Sequence, residues 1–323
     1  MSTTKKLNSR YFNNVEVITD TYGNKSVKKS SNNILKIQAE FGWLSSLNRT
    51  VQIPSTIHTP KPYGYFNNDG LAGYYMSYLN GTSLENIYVN DTNYIHKVNQ
   101  TLQILKKDYL ERLPIVFVSD YQRMLVESLY TCKTLSRLAQ TSIDLDKHYV
   151  INGEKFPTLR EIINDSYVEI RPYHIRNFIH GDLCFSNILL VQGEPWIIDP
   201  RAMLSDNIIA TFGDIRYDIG KLAHSIIGLY EHIKADKGFY INKLDDYTYN
   251  YYVQLNNSQL EAQTHFSYLF KEYEREYYDI MIHLFLSMIP LHKDRPDHQE
   301  KMLVNVFRLY QIKKTLMDNF LIW

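Results

Sequence analysis

Phe178-Ile179-His180-Gly181-Asp182-Leu183-Cys184-Phe185-Ser186-Asn187-Ile188-Leu189-Leu190, closed by Trp196-Ile197-Ile198-Asp199-Pro200-Arg201, is the stretch around which the rest of the chain is read. Two apolar runs, 188–191 and 196–198, flank Gln192-Gly193-Glu194-Pro195. A short connection bearing Gly and Pro between such runs predicts a β-hairpin. Asn187 precedes the first strand and Asp199 ends the second, so the open end of the hairpin should set an amide oxygen beside a carboxylate. Adjacent hard oxygens suit Mg²⁺, which takes one or two protein groups and completes its shell with substrate phosphates and water. Asp182, five residues before Asn187, falls on the loop entering the hairpin. There it can accept the proton of an attacking hydroxyl, or at least orient that hydroxyl.

His-x-Asp-x-x-x-x-Asn with a metal-binding Asp downstream is a loop used for phosphoryl transfer, where positioning and charge neutralisation outweigh proton abstraction. HGDLCFSN at 180–187, IIDPR at 197–201 and GDIRYDIGKL at 213–222 together resemble the aminoglycoside phosphotransferase and choline kinase group of kinase-like enzymes. The resemblance implies an α+β, bilobal, protein-kinase-like fold. A small antiparallel β-sheet lobe with one helix would span residues 1–80, and a large, mainly helical lobe residues 81–323. It also implies ATP or GTP as donor, Mg²⁺ as cofactor held by Asn187 and Asp199, and a small-molecule hydroxyl as acceptor. Asp218 would brace the catalytic loop backbone, as the matching Asp does in that group. The likeness is greatest to kinase-like proteins of capsule and surface-polysaccharide synthesis, which implies a sugar or polyol acceptor.

The first 80 residues fit that lobe. Segments 15–19 and 25–30 read as strands joined by the turn Asp20-Thr21-Tyr22-Gly23-Asn24. Ile34, Ile37, Phe41, Leu44 and Leu47 recur at helical steps, and 63–66 and 73–79 read as two more strands. Such a lobe needs a strand lysine paired with a helix glutamate to hold nucleotide phosphates. Strand neighbours face opposite ways, so Lys29 shares a face with Val27 while the alternative, Lys28, does not. Glu40 is the only acid on the 34–47 helix. The phosphate-covering loop near 7–13 has no glycine, leaving backbone N–H groups and short side chains such as Ser9 for that task. By resemblance, the adenine edge would meet the backbone of Ser77, Tyr78 and Leu79, with Met76 behind the base. As sequence alone, this is a strand, a turn and a helix N-cap at Thr82 or Ser83.

In the rest of the chain, 95–113, 121–138, 159–176, 217–230, 259–289 and 299–320 carry apolar residues at helical steps, and 144–157 reads as a surface loop. Asp214 fits an N-cap, and Asp218 falls in the first helical turn, where the helix dipole favours an anion. His180 is assigned a structural hydrogen bond near the metal site, and Cys184 a packing role. Arg201 could neutralise phosphate or form an ion pair. His292 and Asp294, in a polar cluster between two helices, could bond sugar hydroxyls; the plainer reading is a solvated loop.

The whole chain narrows the classes. Its 323 residues carry 35 basic and 35 acidic side chains, so bulk charge suggests neither nucleic acid nor an anionic membrane as partner. Two cysteines are too few for a disulfide scaffold and fit a reducing compartment. No signal peptide and no membrane span are visible, so a cytoplasmic protein is expected. Gly181 stands where protein kinases place Arg, no Ala-Pro-Glu follows Asp199, and about a dozen residues separate Arg201 from Gly213. A small alcohol therefore suits the site better than a protein substrate. The competing readings are a non-catalytic kinase-fold scaffold that binds a nucleotide or protein partner, favoured by the glycine-free loop, and a protein kinase. Oligomeric state is not legible.

Overall fold

The computed structural model describes residues 3–7, 14–50 and 54–320. Five antiparallel strands, β1 (Thr3–Leu7), β2 (Asn14–Thr19), β3 (Lys25–Ser31), β4 (Pro62–Asn68) and β5 (Leu71–Ser77), form one sheet in the order β1-β2-β3-β5-β4. Asp20 starts the β2–β3 turn by accepting from the N–H groups of Tyr22 and Asn24 at 2.8 and 2.9 Å. Helix α1 (Ile34–Thr50) follows β3 and buries Ile37, Trp43, Leu44 and Leu47. The sequence reading expects four strands here. The structure adds β1, whose Thr-Thr-Lys-Lys-Leu has no apolar alternation to read and which runs paired with β2 from Thr3↔Thr19 to Leu7↔Val15.

The chain then becomes mainly helical: α2 (Leu84–Asn90), α3 (Ile95–Ile104), α4 (Asp120–Glu127), α5 (Thr131–Leu138), α6 (Leu159–Asp165), α7 (Ile215–Ile226), α8 (Tyr230–Lys234), α9 (Asn257–Leu269), α10 (Glu274–Met288) and α11 (Pro296–Phe320). Every residue of α7 is buried, and α10 lies so close that a Cβ on Gly220 would come within 2.4 Å of the Ile280 side chain. No helix among the described residues is long and apolar enough to cross a membrane.

Several predicted helices are shorter than their periodicity. The 121–138 segment breaks between α4 and α5, where Tyr130 leaves helical geometry and its hydroxyl donates to Asp214 at 3.0 Å. The 159–176 segment stops at Asp165; beyond it Val168 and Ile170 are buried on alternate residues of an extended chain, and Pro172 follows. The 217–230 segment ends at Ile226 because Leu229 takes a left-handed conformation before α8. The 259–289 segment is two helices separated at Phe270–Tyr273. Within 144–157, residues Val150–Ile151 and Glu154–Lys155 join strands Phe239–Lys243 and Thr248–Val253 in a four-stranded sheet, so that stretch is only partly a loop.

The predicted hairpin forms from Ile188–Val191 and Glu194–Ile197, in register from Ile188↔Ile197 to Val191↔Glu194. Its turn is two residues rather than four. Gln192 and Gly193 both have positive φ, +54° and +88°, the conformation whose twist matches antiparallel strands.

Candidate active site

The loop from Phe178 to Asn187 is fixed by hydrogen bonds to its own backbone. The Tyr109 hydroxyl donates to the Phe178 carbonyl at 2.7 Å, and the Trp43 indole N–H donates to the Ile179 carbonyl at 3.1 Å. Asp218, in the first turn of α7, accepts from the N–H groups of His180 and Gly181 at 2.8 and 2.7 Å. The Phe185 N–H donates to Ser225 Oγ at 3.0 Å. A buried loop must pair its polar groups or lose stability, and here α1 and α7 supply much of that pairing. Burial pushes the Asp218 carboxyl up to about 7, against the pull of the two N–H donors.

His180 is buried with both ring nitrogens bonded: Nε2 lies 2.9 Å from the Ile198 carbonyl, and Nδ1 3.2 Å from the Asp182 N–H. A neutral ring donating at Nε2 and accepting at Nδ1 satisfies both. Burial holds its pKa down at about 4. The ring therefore clips the loop to the hairpin end, next to Asp199. Cys184 is buried too, and burial pushes its thiol up to about 12, which leaves it a packing group.

At the open end of the hairpin the Ile198 N–H donates to the Asn187 carbonyl at 3.0 Å, which sets Asn187 alongside Asp199. The Asn187 side-chain amide donates to Asp182, to its carbonyl at 2.9 Å and its Oδ2 at 3.1 Å. That orientation leaves Asn187 Oδ1 as the oxygen available to a cation. Asp199 sits at φ +58°, a left-handed geometry that Asp tolerates better than most residues. The Asp182 and Asp199 side chains are each 41% exposed, so both carboxylates open toward solvent. An amide oxygen and an accessible carboxylate fit Mg²⁺ by donor chemistry.

Lys29 reaches this end from β3. Its Nζ is 2.7 Å from Glu40 Oε2 on α1 and 3.0 Å from Asp199 Oδ1, with only 1% of its side chain exposed. Burial disfavours its charge, but Asp199 and Glu40 outweigh that and hold Lys29 well above its ordinary value. Burial keeps Glu40 raised in spite of Lys29. The alternative, Lys28, faces the other way, 4.0 Å from Glu16 and 5.5 Å from the centre of the Phe66 ring.

Met76 is buried opposite Val27, Ser77 is exposed opposite Ser26, and Lys25 lies 5.3 Å from the Tyr78 ring centre. Tyr78 and Leu79 are half-buried beyond the end of β5. Ser83 caps α2 by accepting from the Asn86 N–H. Ser9 lies outside the described residues. His292 is buried beside Tyr230 and His298, and Asp294 is exposed. Their neighbours Arg295 and His298 close onto Asp236, at 2.6 and 3.2 Å. Among the described residues Arg201 has no carboxylate at ion-pair distance, so the ion-pair alternative is not what the structure has.

Three groups escaped the sequence reading. Lys221 of α7 places Nζ 2.8 Å from Asp182 Oδ1. Burial alone would raise the Asp182 pKa, yet Lys221 overcomes it and keeps the carboxylate well below the usual range. Tyr217 and Lys133 meet next to this pair, Lys133 Nζ donating to the Tyr217 hydroxyl at 2.8 Å. A signal was present: the N-cap Asp214 and the helix residues Tyr217, Asp218 and Lys221 form a polar stripe at three- and four-residue steps.

No protein-family model and no curated protein sequence matches this chain. Solved structures do resemble it. A thermostable mutant of aminoglycoside phosphotransferase APH(4)-Ia in its apo form is 13% identical, with 95% of this chain and 94% of that one covered and a TM-score of 0.56. A further structure of the same enzyme, in ternary complex with ADP and hygromycin B, gives 13%, 94%, 93% and 0.55. A protein assigned as a fructosamine-3-kinase, from Haemophilus somnus 129PT, gives 13%, 95%, 90% and 0.53. At this identity the likeness is one of fold: the chain has the bilobal, kinase-like α+β architecture of these phosphotransferase structures.

Proposed function

We propose that the protein is a small-molecule kinase, transferring the γ-phosphate of ATP or GTP to an alcohol in a Mg²⁺-dependent reaction. The observation that carries this reading is the convergence of Lys29, held by the buried Glu40, from the sheet side and of Asp182, Asn187 and Asp199 from the loop and hairpin, with the Asp182 and Asp199 carboxylates partly exposed. Residues 1–80 are proposed as the nucleotide lobe and 81–323 as the catalytic and acceptor lobe. The nearby APH(4)-Ia structure with ADP and hygromycin B supports a nucleotide and a small acceptor as the two ligands.

In this reading Lys29, oriented by Glu40, neutralises nucleotide phosphate oxygens. Asn187 Oδ1 and the Asp199 carboxylate would hold Mg²⁺, which supplies charge neutralisation on the phosphates when bound. Asp182 accepts a hydrogen bond from the acceptor hydroxyl and aims it at the γ-phosphorus. With Lys221 holding Asp182 ionised, orientation rather than strong basicity is its contribution. The alcohol oxygen forms a new bond to phosphorus, the bond from that phosphorus to the β-phosphate oxygen breaks, and the nucleoside diphosphate leaves. The hydroxyl proton passes to solvent. Ser77, Tyr78 and Leu79 are proposed to line the base, with Met76 behind it.

A sugar or polyol acceptor from surface-polysaccharide synthesis is the finer reading that the motif resemblance supports. A cytoplasmic location fits both cysteines being free thiols. A transfer screen with γ-labelled ATP and GTP against sugars, polyols and amino alcohols tests the proposal. Mg²⁺-dependent labelling of at least one alcohol is expected, and no nucleotide binding at millimolar concentration overturns it.

A further inference from the structure

The helical group that meets Asp182 is the cation Lys221, and further cations lie beyond it. Lys133 and Arg137 stand one turn apart on α5, and Tyr217 and Lys221 one turn apart on α7, a spacing that puts each pair on one helix face. The two helices meet through Lys133, whose Nζ lies 2.8 Å from the Tyr217 hydroxyl and 4.9 Å from its ring centre. Lys221 continues the line to Asp182 at 2.8 Å. Arg201 enters from the hairpin side. Its N–H donates to the His180 carbonyl at 2.7 Å, and its side chain lies against Gly181. Arg201, Tyr217 and Gly181 share the wall of one small cavity of about 20 Å³, whose other lining is mainly apolar and includes Asp214.

Lys221 and Arg201 thus act on Asp182, and Lys133 joins them through Tyr217, while Arg137 donates to the Ser287 carbonyl at 3.0 Å. Among the described residues no carboxylate lies at ion-pair distance from Lys133, Arg137 or Arg201, and the acid that Arg137 senses at longer range is the exposed Asp206. The crowding marks the groups themselves. Burial and then Arg201 push Lys133 down to about 8, against the pull of Tyr217. Burial resists ionisation of Tyr217, but Lys133, Lys221 and Arg201 draw its hydroxyl down to about 7. Partly buried cations short of counter-charge are costly; the Tyr217 hydroxyl, drawn down by them, meets part of that need and an incoming anion meets the rest. Arg201 further offers a planar fork suited to phosphate or carboxylate oxygens.

We infer that the acceptor is itself an anion: an alcohol carrying a phosphate or carboxylate group that docks among Lys133, Tyr217 and Arg201 and so presents its hydroxyl to Asp182. This rests on the kinase reading above and narrows its acceptor to phosphorylated or acidic sugars and polyols. A polycationic acceptor would meet repulsion at the same place.

Matched acceptors test it: glycerol against glycerol 3-phosphate, and glucose against glucose 6-phosphate, glucuronate and glucosamine. The anionic member of a set is expected to exceed its neutral parent at least tenfold in kcat/KM. The phosphate and carboxylate arms show which anion fits. In Lys133→Met, and in Arg201→Ala more than Arg201→Lys, the anionic-to-neutral ratio should collapse toward one, with melting curves checking that each variant folds. Preference for the neutral or cationic member overturns the inference while leaving a kinase. A second measurement needs no turnover: calorimetric titration of inorganic phosphate with the nucleotide site saturated by Mg²⁺ and AMP-PNP. Saturable binding weakened at least tenfold by Lys133→Met is expected; no binding to the wild type overturns the inference. Weaker AMP-PNP binding in Lys133→Met, with phosphate binding unchanged, would assign the cluster to the nucleotide and overturn it too. Failure to bind AMP-PNP, read separately, counts against the kinase reading.

Discussion

Lys29 Nζ lies 3.0 Å from Asp199 Oδ1 across 170 residues of sequence, and this ion pair ties the sheet to the hairpin. Lys29→Met would cut the tie and leave Glu40 buried, with the Tyr74 hydroxyl at 3.3 Å as its remaining bonded partner among the described residues. Removing one member of a buried pair costs about 3–5 kcal/mol, so urea unfolding should show a loss of that order. The double variant Lys29→Met/Glu40→Gln should be less destabilised than Lys29→Met alone, because no uncompensated charge stays inside. Nucleotide affinity should fall at least about tenfold in both.

Asp182→Asn should abolish most of the transfer, by roughly 10²–10⁴-fold in kcat, while nucleotide affinity changes little. Single-turnover transfer and equilibrium nucleotide titration separate the two effects. Near-normal turnover would remove Asp182 from the reaction.

Lys221→Met bears on why Asp182 stays ionised. Without the ammonium at 2.8 Å, burial is left to act and the Asp182 pKa rises. The acid limb of the kcat/KM profile should therefore move to higher pH than in the wild type. An unmoved limb would mean that Lys221 does not set the Asp182 charge.

His180 gives a pH dependence of stability. Its folded pKa is held at about 4 by burial, against an ordinary 6.5. Its contribution is fully present above 6.5, where the unfolded ring is also neutral, and is lost as pH falls through about 4, since the unfolded chain binds the proton first. The loss is on the order of 3 kcal/mol in all. NMR of the ring should show it neutral at pH 5.5, and a ring already protonated there would contradict the assignment.

Much of the site was legible because its chemistry is local. Asp182, Asn187 and Asp199 lie on one loop and one hairpin, and strand alternation singled out Lys29. Lys221, Tyr217 and Lys133 were not read because their meaning depends on how α7 meets the loop and how Lys133 of α5 reaches α7. Helix lengths misled for a related reason. Apolar periodicity runs through 121–138 and 217–230, but Tyr130 turns to reach Asp214, and Leu229 adopts a left-handed bend. The strand at Thr3–Leu7 carries no apolar alternation to announce it. The polar loop around His292 drew attention by composition, and in the fold its neighbours are knitted to Asp236.

In the proposed mechanism Asp199 is the group that makes nucleotide binding depend on metal. Calorimetric titration of AMP-PNP into the wild type and into Asp199→Ala, with and without Mg²⁺, measures this. The wild type should bind at least about tenfold more tightly with Mg²⁺, and Asp199→Ala should lose that difference. An equal Mg²⁺ enhancement in both proteins would contradict the account.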